Sequence, residues 1–285
     1  MTNQKLKLWT CVGVATLLTG SGALADEQKD RHNADRITSG AHGGEGGEGG
    51  AALSYFAAGG EGGEGGEAGG SVSAVESDGA YVAMLRMMQG HLMAARELIK
   101  SGKVADGRPH LTHPWVEVYP VAEAGLESRG QKELRNHLKA LAEKAGQVEN
   151  WGDVSQEFQA AWGVIQKAEK SVEGQSAASV SAVVLSLTKQ AVLEYDDALE
   201  NGRFVAEHEY QDGRGFVMSA RDYLDSHQSM LKQQNTEAWR DAGKALDDMR
   251  KAWPTAVPPE QPVMPVANLY AAQARLELAL APYLY

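Results

Sequence analysis

Apolar residues recur at helical spacing almost throughout the chain from residue 77 to its end. Glycine and proline mark the breaks, and only the brief stretch 116–119 alternates with the period of two that a half-buried strand needs. The pattern predicts helices at about 78–101, 116–128, 131–148, 153–173, 177–200, 206–234, 236–252 and 266–282. We therefore expect an all-α fold, an up-and-down helical bundle of about seven to eight helices over residues 77–285.

The N-terminal part of the chain has a different composition. Residues 1–25 combine positive Lys5 and Lys7 with a short apolar run and a small-residue cleavage site, which is typical of a secretory signal peptide. Residues 26–76 are rich in glycine and glutamate, so they cannot offset backbone entropy by burying side chains, and we expect a disordered acidic arm. These features predict a periplasmic protein without a membrane span in its mature chain.

Charge and cysteine content restrict the chemistry further. The formal net charge is −11, and removal of Lys5 and Lys7 with the signal peptide changes it to −13, which argues against nucleic acid as a partner. Cys11, the only cysteine, lies in the predicted signal peptide, so the mature chain would have no thiolate metal site. Imidazole and carboxylate ligands remain available.

Polar residues interrupt the apolar stripes of three predicted helices. His91, Glu194 and Glu209 each fall on an otherwise apolar face. A buried charge costs several kcal/mol unless it is paired or binds an ion. The histidine could be a hydrogen-bonded core residue, and the glutamates could pair with arginines such as Arg214 or Arg221. A shared metal site is the alternative.

The motif Glu-Tyr-x-Asp occurs twice, on either side of a short Asn-Gly turn. Glu194 and Asp197 belong to the first copy, and Glu209 and Asp212 belong to the second. Residues three apart are neighbours on a helix, so two antiparallel helices would bring four carboxylates together, and these repel unless protons, arginines or a metal intervene. The apolar stripes predict Glu194 and Glu209 as the inward pair, with the two aspartates nearer the margin.

A second candidate group follows the first predicted helix. His110, His113 and Glu117 have a spacing that suits a first-row divalent metal. Pro114 disturbs the helix here, so we expect a loop or a first helical turn. The alternative is that these histidines are ordinary surface residues.

Motifs of the common enzyme classes are absent from the sequence. The chain contains no nucleophile elbow, phosphate loop, zinc-protease motif or dinucleotide fingerprint, and it lacks the Glu-x-x-His pairs of di-iron bundles. We therefore expect that the protein is not an enzyme.

Residues 193–216 resemble the extracytoplasmic helical domain associated with bacterial high-affinity iron permeases of the oxidase-dependent Fe²⁺ transporter type. The matching elements are Glu194-Tyr195, Ala198-Leu199, Asn201-Gly202, Phe204-Val205, and Glu209-Tyr210 followed by Asp212 and Phe216. The resemblance implies a periplasmic relative that binds or delivers metal, with iron as the leading ion. The Arg-Glu-Gly-x-Glu motif and membrane helices of the permease are missing, so we do not expect transport by this chain.

Two hypotheses follow. In the first, the protein binds a metal ion, which we expect to be iron, with copper, manganese and zinc as alternatives. The ligands would be Glu194, Asp197, Glu209 and Asp212. Either His91 or the group His110, His113 and Glu117 would complete the ligand set. The partner of the protein would be a membrane permease or another periplasmic protein. In the second, the bundle and its acidic arm bind a protein partner without metal. The buried acids then form internal salt bridges with Arg86, Arg96, Arg214 or Arg221.

Overall fold

The computed structural model describes residues 74–172 and 174–285, and most of this part of the chain is helical. The predicted all-α class is confirmed. The predicted signal peptide lies outside the described residues, as does the predicted arm apart from residues 74–76, which form a turn before the first helix. Both stay predictions.

The helices follow the predicted order closely. They are α1 (Asp78–Lys100), α2 (Val104–Gly107), α3 (Pro109–His113), α4 (Tyr119–Ser128), α5 (Glu133–Ala145), α6 (Ser155–Lys170), α7 (Ala177–Asp197), α8 (Glu207–Ser226), α9 (Gln228–Gln234), α10 (Thr236–Arg250) and α11 (Val266–Leu284). A π-helical turn, Pro114–Val118, joins α3 to α4, and a 3₁₀ turn, Trp151–Asp153, precedes α6. Within the described ranges, no helix is both long and apolar enough to cross a bilayer.

The Asn-Gly turn forms a small hairpin between α7 and α8. Strand β1 (Leu199–Glu200) pairs antiparallel with β2 (Arg203–Phe204). Asn201 and Gly202 both have positive φ angles, 52° and 75°, which the tight two-residue turn requires and which these two residue types tolerate. The predicted reversal of direction is confirmed, although α7 ends three residues earlier than expected.

Four helices of the C-terminal half form a closed ring. Helix α7 packs against α8 and α11, and α10 packs against the same two helices. The apolar stripe of α10 faces the interior through Ala242, Leu246 and Met249. Asn235 at the start of α10 and Ser176 at the start of α7 cap these helices, because their side-chain oxygens accept hydrogen bonds from backbone amides of the first turn. This ring is a four-helix bundle.

Helix α1 joins the four-helix bundle to the N-terminal helices. It packs against α8 and α7 on one side and against α2, α3, α6 and the π turn on the other. Almost its whole circumference is buried, as expected for a helix that is largely apolar all round. Its first turn is capped by Ser77, whose hydroxyl accepts a hydrogen bond from the Ala80 amide at 3.2 Å. Residues of α1 therefore face both halves of the molecule.

The Pro-rich link between α10 and α11 is attached to the bundle by the tyrosines of the doubled motif. Tyr195 Oη donates to the Met264 carbonyl at 2.9 Å, and Tyr210 Oη donates to the Thr255 carbonyl at the same distance. Both rings are buried, and Tyr195 packs edge-on to Trp253. Burial raises the pKa of Tyr195 to about 12, so its phenol stays protonated and can donate. The tyrosines therefore hold this link.

Candidate metal centre

Three histidines converge on one buried aspartate at the junction of the two halves. His91 comes from α1, His110 and His113 come from α3, and Asp212 comes from α8. One ligand atom from each lies within 4.8 Å of those of the others. The Nδ1 atoms of His91 and His110 lie 2.5 and 2.7 Å from Asp212 Oδ1, and His113 Nδ1 lies 3.0 Å from Asp212 Oδ2. A single carboxylate thus faces three imidazoles.

Two glycines bring α1 close to α8 beside this cluster. A Cβ atom on Gly90 would lie 2.6 Å from Phe216 Cδ1 and 3.2 Å from the Gly215 carbonyl oxygen, and one on Gly215 would clash with the Gly90 carbonyl. His91 follows Gly90 in the chain, so the close crossing sets its ring against Asp212. Helix α8 is continuous through Gly215. Gly90 and Gly215 therefore permit the close contact of the two helices.

Helix α3 supplies two of the imidazoles from one face. Its proline at the first position needs no amide partner, and Leu111 anchors the helix in the core. Residues three apart on a helical turn are neighbours, so His110 and His113 point the same way. Their rings are 5.0 Å apart. The π turn then continues the chain and brings Glu117 back toward the cluster, consistent with the frequent occurrence of π-helical turns at functional sites.

The neighbouring Gln211 fixes the orientation of His110. Its Oε1 lies 2.7 Å from His110 Nε2, and because an amide oxygen only accepts, Nε2 carries the proton. The Nδ1 atom is therefore the one that faces Asp212. Metal-binding histidines usually donate their second ring N–H in this way to an oxygen behind them. A metal ion would take the place of the proton that His110 Nδ1 shares with the carboxylate.

Electrostatics couple the aspartate to the histidines. Burial alone raises the pKa of Asp212, but the charges of His91, His110 and His113 outweigh it and hold this pKa well below its usual range. Burial alone lowers the pKa of His110, but the Asp212 carboxylate and the hydrogen bonds to Asp212 and Gln211 raise it above its usual value. The carboxylate of Asp212 therefore stays charged at the centre of the cluster, although it is buried.

Distances in the cluster suit coordination to a common ion. Two ligands bound at about 2.0–2.2 Å are about 3.0 Å apart at a right angle and about 3.4 Å apart at the tetrahedral angle. The observed nitrogen–oxygen distances of 2.5–3.0 Å are equal to or slightly shorter than the first value, so a small outward movement of the rings would admit an ion. In addition, His91 Nε2 is buried and makes no hydrogen bond to the residues that the structure describes.

Glu117 lies at the rim of the cluster. Its Oε2 is 3.5 Å from His113 Nδ1 and 3.8 Å from His91 Nε2, beyond the range of a good hydrogen bond. Its side chain is 27% exposed, compared with 4% for Asp212. Glu117 therefore places a second negative charge between the buried cluster and the solvent.

The structure places the other predicted ligands outside this group. Glu194 is buried and accepts a hydrogen bond from Gln190 Nε2 at 2.6 Å, and Asp197 is exposed at the end of α7. Glu209 is half-buried and acts electrostatically on His110 without joining the cluster. The expected order of burial on α8 is therefore wrong, because Asp212 is the inward residue. Of the four carboxylates of the doubled motif, one joins the histidines.

Arginines proposed as partners of the buried acids are engaged with other carboxylates. Arg86 pairs with Glu169 and Asp222 at 2.6 and 2.7 Å. Arg214 donates two hydrogen bonds to the Glu97 carboxylate and also donates to the carbonyl of Trp253, in the segment that follows α10. Asp212 makes its ion pairs with histidines.

Sequence reasoning missed Gln211 and His208. Gln211 directly precedes Asp212, and His208 lies one helical turn before Asp212 on the same face of α8. The His208 ring centroid is 5.8 Å from that of His110 and 6.4 Å from that of His113. The four-residue spacing between His208 and Asp212 was the signal that could have identified it.

Comparison with known proteins identifies the helical ring. Residues 171–283 match the iron permease-associated 4-helix bundle domain. This confirms the resemblance seen over residues 193–216, and no permease domain is detected in the chain. No curated protein and no solved structure matches the chain.

The match divides the His/Asp cluster between two parts of the chain. The iron permease-associated bundle contains α7 to α11 and therefore Asp212, Gln211 and His208. His91, His110 and His113 precede it, on helices that pack against α8. The His/Asp group could hold a metal ion only when both parts are present.

Proposed function

We propose that this protein is a periplasmic metal-binding accessory of an iron permease system and that the ion it binds is iron. The observation that carries the proposal is the convergence of His91, His110 and His113 on buried Asp212. Burying a charged carboxylate costs free energy, and nearby positive charge offsets this cost. When the imidazoles are neutral, a bound metal ion would supply the positive charge. Glu117 would complete the ligand set from the rim.

The donor set favours a divalent ion. Three imidazoles and one or two carboxylates suit Fe²⁺, Zn²⁺, Cu²⁺ and Ni²⁺, whereas a harder ion such as Fe³⁺ prefers more oxygen ligands. Sites of this kind bind Cu²⁺ and Zn²⁺ more tightly than Fe²⁺ according to the general order of affinities, so the supply of metal decides which ion is carried. The link of the bundle to iron permeases supports Fe²⁺ as that ion.

Location and partner form the second part of the proposal. The predicted signal peptide supports export to the periplasm, and the match to an iron permease-associated domain supports a membrane permease as the partner. We assign the protein a binding role and no reaction.

A metal titration of the full chain tests the proposal. The exported protein is stripped of metal and titrated anaerobically with Fe²⁺, Mn²⁺, Zn²⁺ and Cu²⁺ while the melting temperature is followed. At a metal concentration of 1,000 times Kd, binding adds about 4 kcal/mol to stability. For a folded part of this size, that corresponds to a rise of about 8–16 °C.

Two variants locate the site. Asp212→Asn keeps the shape of the side chain but removes the charge, and we expect it to abolish most of the rise. Glu194→Gln removes another buried carboxylate that lies outside the cluster, and we expect the rise to persist. No rise with any metal, or an equal rise in the Asp212→Asn variant, contradicts the proposal.

A further inference from the structure

The metal cluster approaches the solvent beside His208, near the start of α8. His208 is exposed, and its ring is nearly perpendicular to those of His110 and His113, at interplanar angles of 85° and 83°. Asp212 lies four residues further along the same face of the helix, and its side chain is buried. The side chains along this face therefore lead from solvent to the buried carboxylate.

Ring spacings place His208 as the next imidazole outward. Within the cluster, the His91 and His113 rings are 5.2 Å apart and the His110 and His113 rings are 5.0 Å apart. The ring centroid of His208 is 5.8 Å from that of His110 and 6.4 Å from that of His113, which is only slightly longer. Exposed side chains change rotamer within picoseconds to nanoseconds, so such a gap can be closed by rotation of His208.

Two acidic residues lie beside this approach. Asp106 lies close enough to His208 to interact with it electrostatically, and Glu209 interacts in the same way with His110. Carboxylates lining an approach raise the local concentration of cations. The chemistry of the approach therefore suits a divalent cation.

We propose that His208 is a transient ligand that carries the metal ion between solvent and the His91–His110–His113–Asp212 cluster. The inference rests on the proposed metal-binding function and implies that the bound ion exchanges with ions in solution. An ion entering a buried site must replace its water ligands with protein ligands, and an imidazole at the mouth allows this to occur one ligand at a time. Because His208 binds the ion only in transit, it lowers the barrier equally in both directions.

Exchange kinetics test the role of His208. The apo full chain is mixed with Co²⁺ in a stopped-flow instrument, and the absorption of the bound ion is followed. Release is then driven by excess chelator. In the His208→Asn variant, we expect both rate constants to fall about tenfold, which corresponds to a barrier higher by about 1.4 kcal/mol, while Kd changes by less than about twofold.

Two matched variants complete the test. His208→Asp supplies a charged carboxylate at the same position, which is a stronger metal ligand than the asparagine amide. We expect it to recover both rates at an ionic strength that screens its added charge. His137→Asn removes a histidine from α5, away from the cluster, and we expect it to leave both rates unchanged.

Each other outcome overturns the inference in a recognisable way. Faster release with unchanged association in His208→Asn would show that His208 is a permanent ligand, and unchanged rates would show that it is a surface residue without a role in exchange. If the wild-type chain bound no metal, the proposed function and this inference would fail together. A normal Kd with unaffected rates would refute the inference alone.

Discussion

The crossing of α1 and α8 gives a sharp test of how the His/Asp cluster is held together. In the variant Gly215→Ala, the new methyl group would occupy the space of the Gly90 carbonyl, which is rigid helix backbone. The two helices would therefore have to separate. His91 and Asp212 lie one residue and three residues from these glycines, so their contact of 2.5 Å would lengthen as well.

The size of the effect follows from the geometry. A methyl group forced into a packed helix crossing costs about 1–3 kcal/mol. For a protein of this size, the melting temperature should fall by about 2–12 °C. Loss of ligand alignment should weaken metal binding about 10- to 100-fold, the range typical of changes next to a metal site.

A second glycine provides the matched control. Gly163 lies in the interior of α6, where an added Cβ would meet no atom within 4 Å. The variant Gly163→Ala should therefore gain about 0.5–1 kcal/mol from helix propensity and bind metal normally. Thermal unfolding and metal titration of both variants provide the measurements. If Gly215→Ala proved as stable as Gly163→Ala, or bound metal as tightly, the close crossing would not organise the cluster.

Three further predictions concern pH and two groups outside the cluster. In the metal-free protein, the raised pKa of His110 adds stability that is complete below about pH 6.5 and is lost as the pH rises through that pKa. The lowered pKa of Asp212 adds stability that is present above about pH 4 and is lost on acidification. Urea unfolding should therefore show an alkaline decline that is smaller in His110→Asn, while metal affinity rises over the same range because protons no longer compete. Tyr210→Phe should cost about 0.5–1.5 kcal/mol and speed hydrogen exchange in residues 254–265, and normal exchange there would contradict the role of the phenol. Arg86→Met leaves Glu169 largely buried without its cation, while Asp222 stays in contact with solvent, and should cost about 1–3 kcal/mol in urea unfolding. A loss below about 0.5 kcal/mol would show that the pairs add little.

Helical periodicity was enough to predict the fold class and most helix boundaries. The repeated apolar spacing locates α1, α5, α6, α7, α10 and α11 within a few residues, because each buries a stripe against its neighbours. It also identified His91 as a polar residue on a buried face. The short helix α3 was missed because Pro109 and Pro114 bracket it and leave only one turn, which is too short to show a period.

The ligand set could be predicted only in part, because periodicity does not show how many neighbours a helix has. The stripe on α8 assumes one buried face, but α7 packs on one side of this helix and α1 on another. Asp212, three residues and about 60° around the helix from Glu209, faces α1 and is therefore the buried acid. The meeting of α3 with α8 depends on tertiary packing across about 100 residues of chain, which local patterns do not encode.

The division of the cluster between the bundle and the preceding helices has a consequence for how such proteins diversify. The iron permease-associated bundle supplies one carboxylate, Asp212, from its ring of helices. The nitrogen donors lie on α1 and α3, in a separate layer that packs against this ring. Under the proposed metal-binding function, changes in that outer layer would alter which ion is accepted without disturbing the interior of the ring. A relative with the same bundle and a different N-terminal layer would then share the scaffold and differ in the ion that it binds.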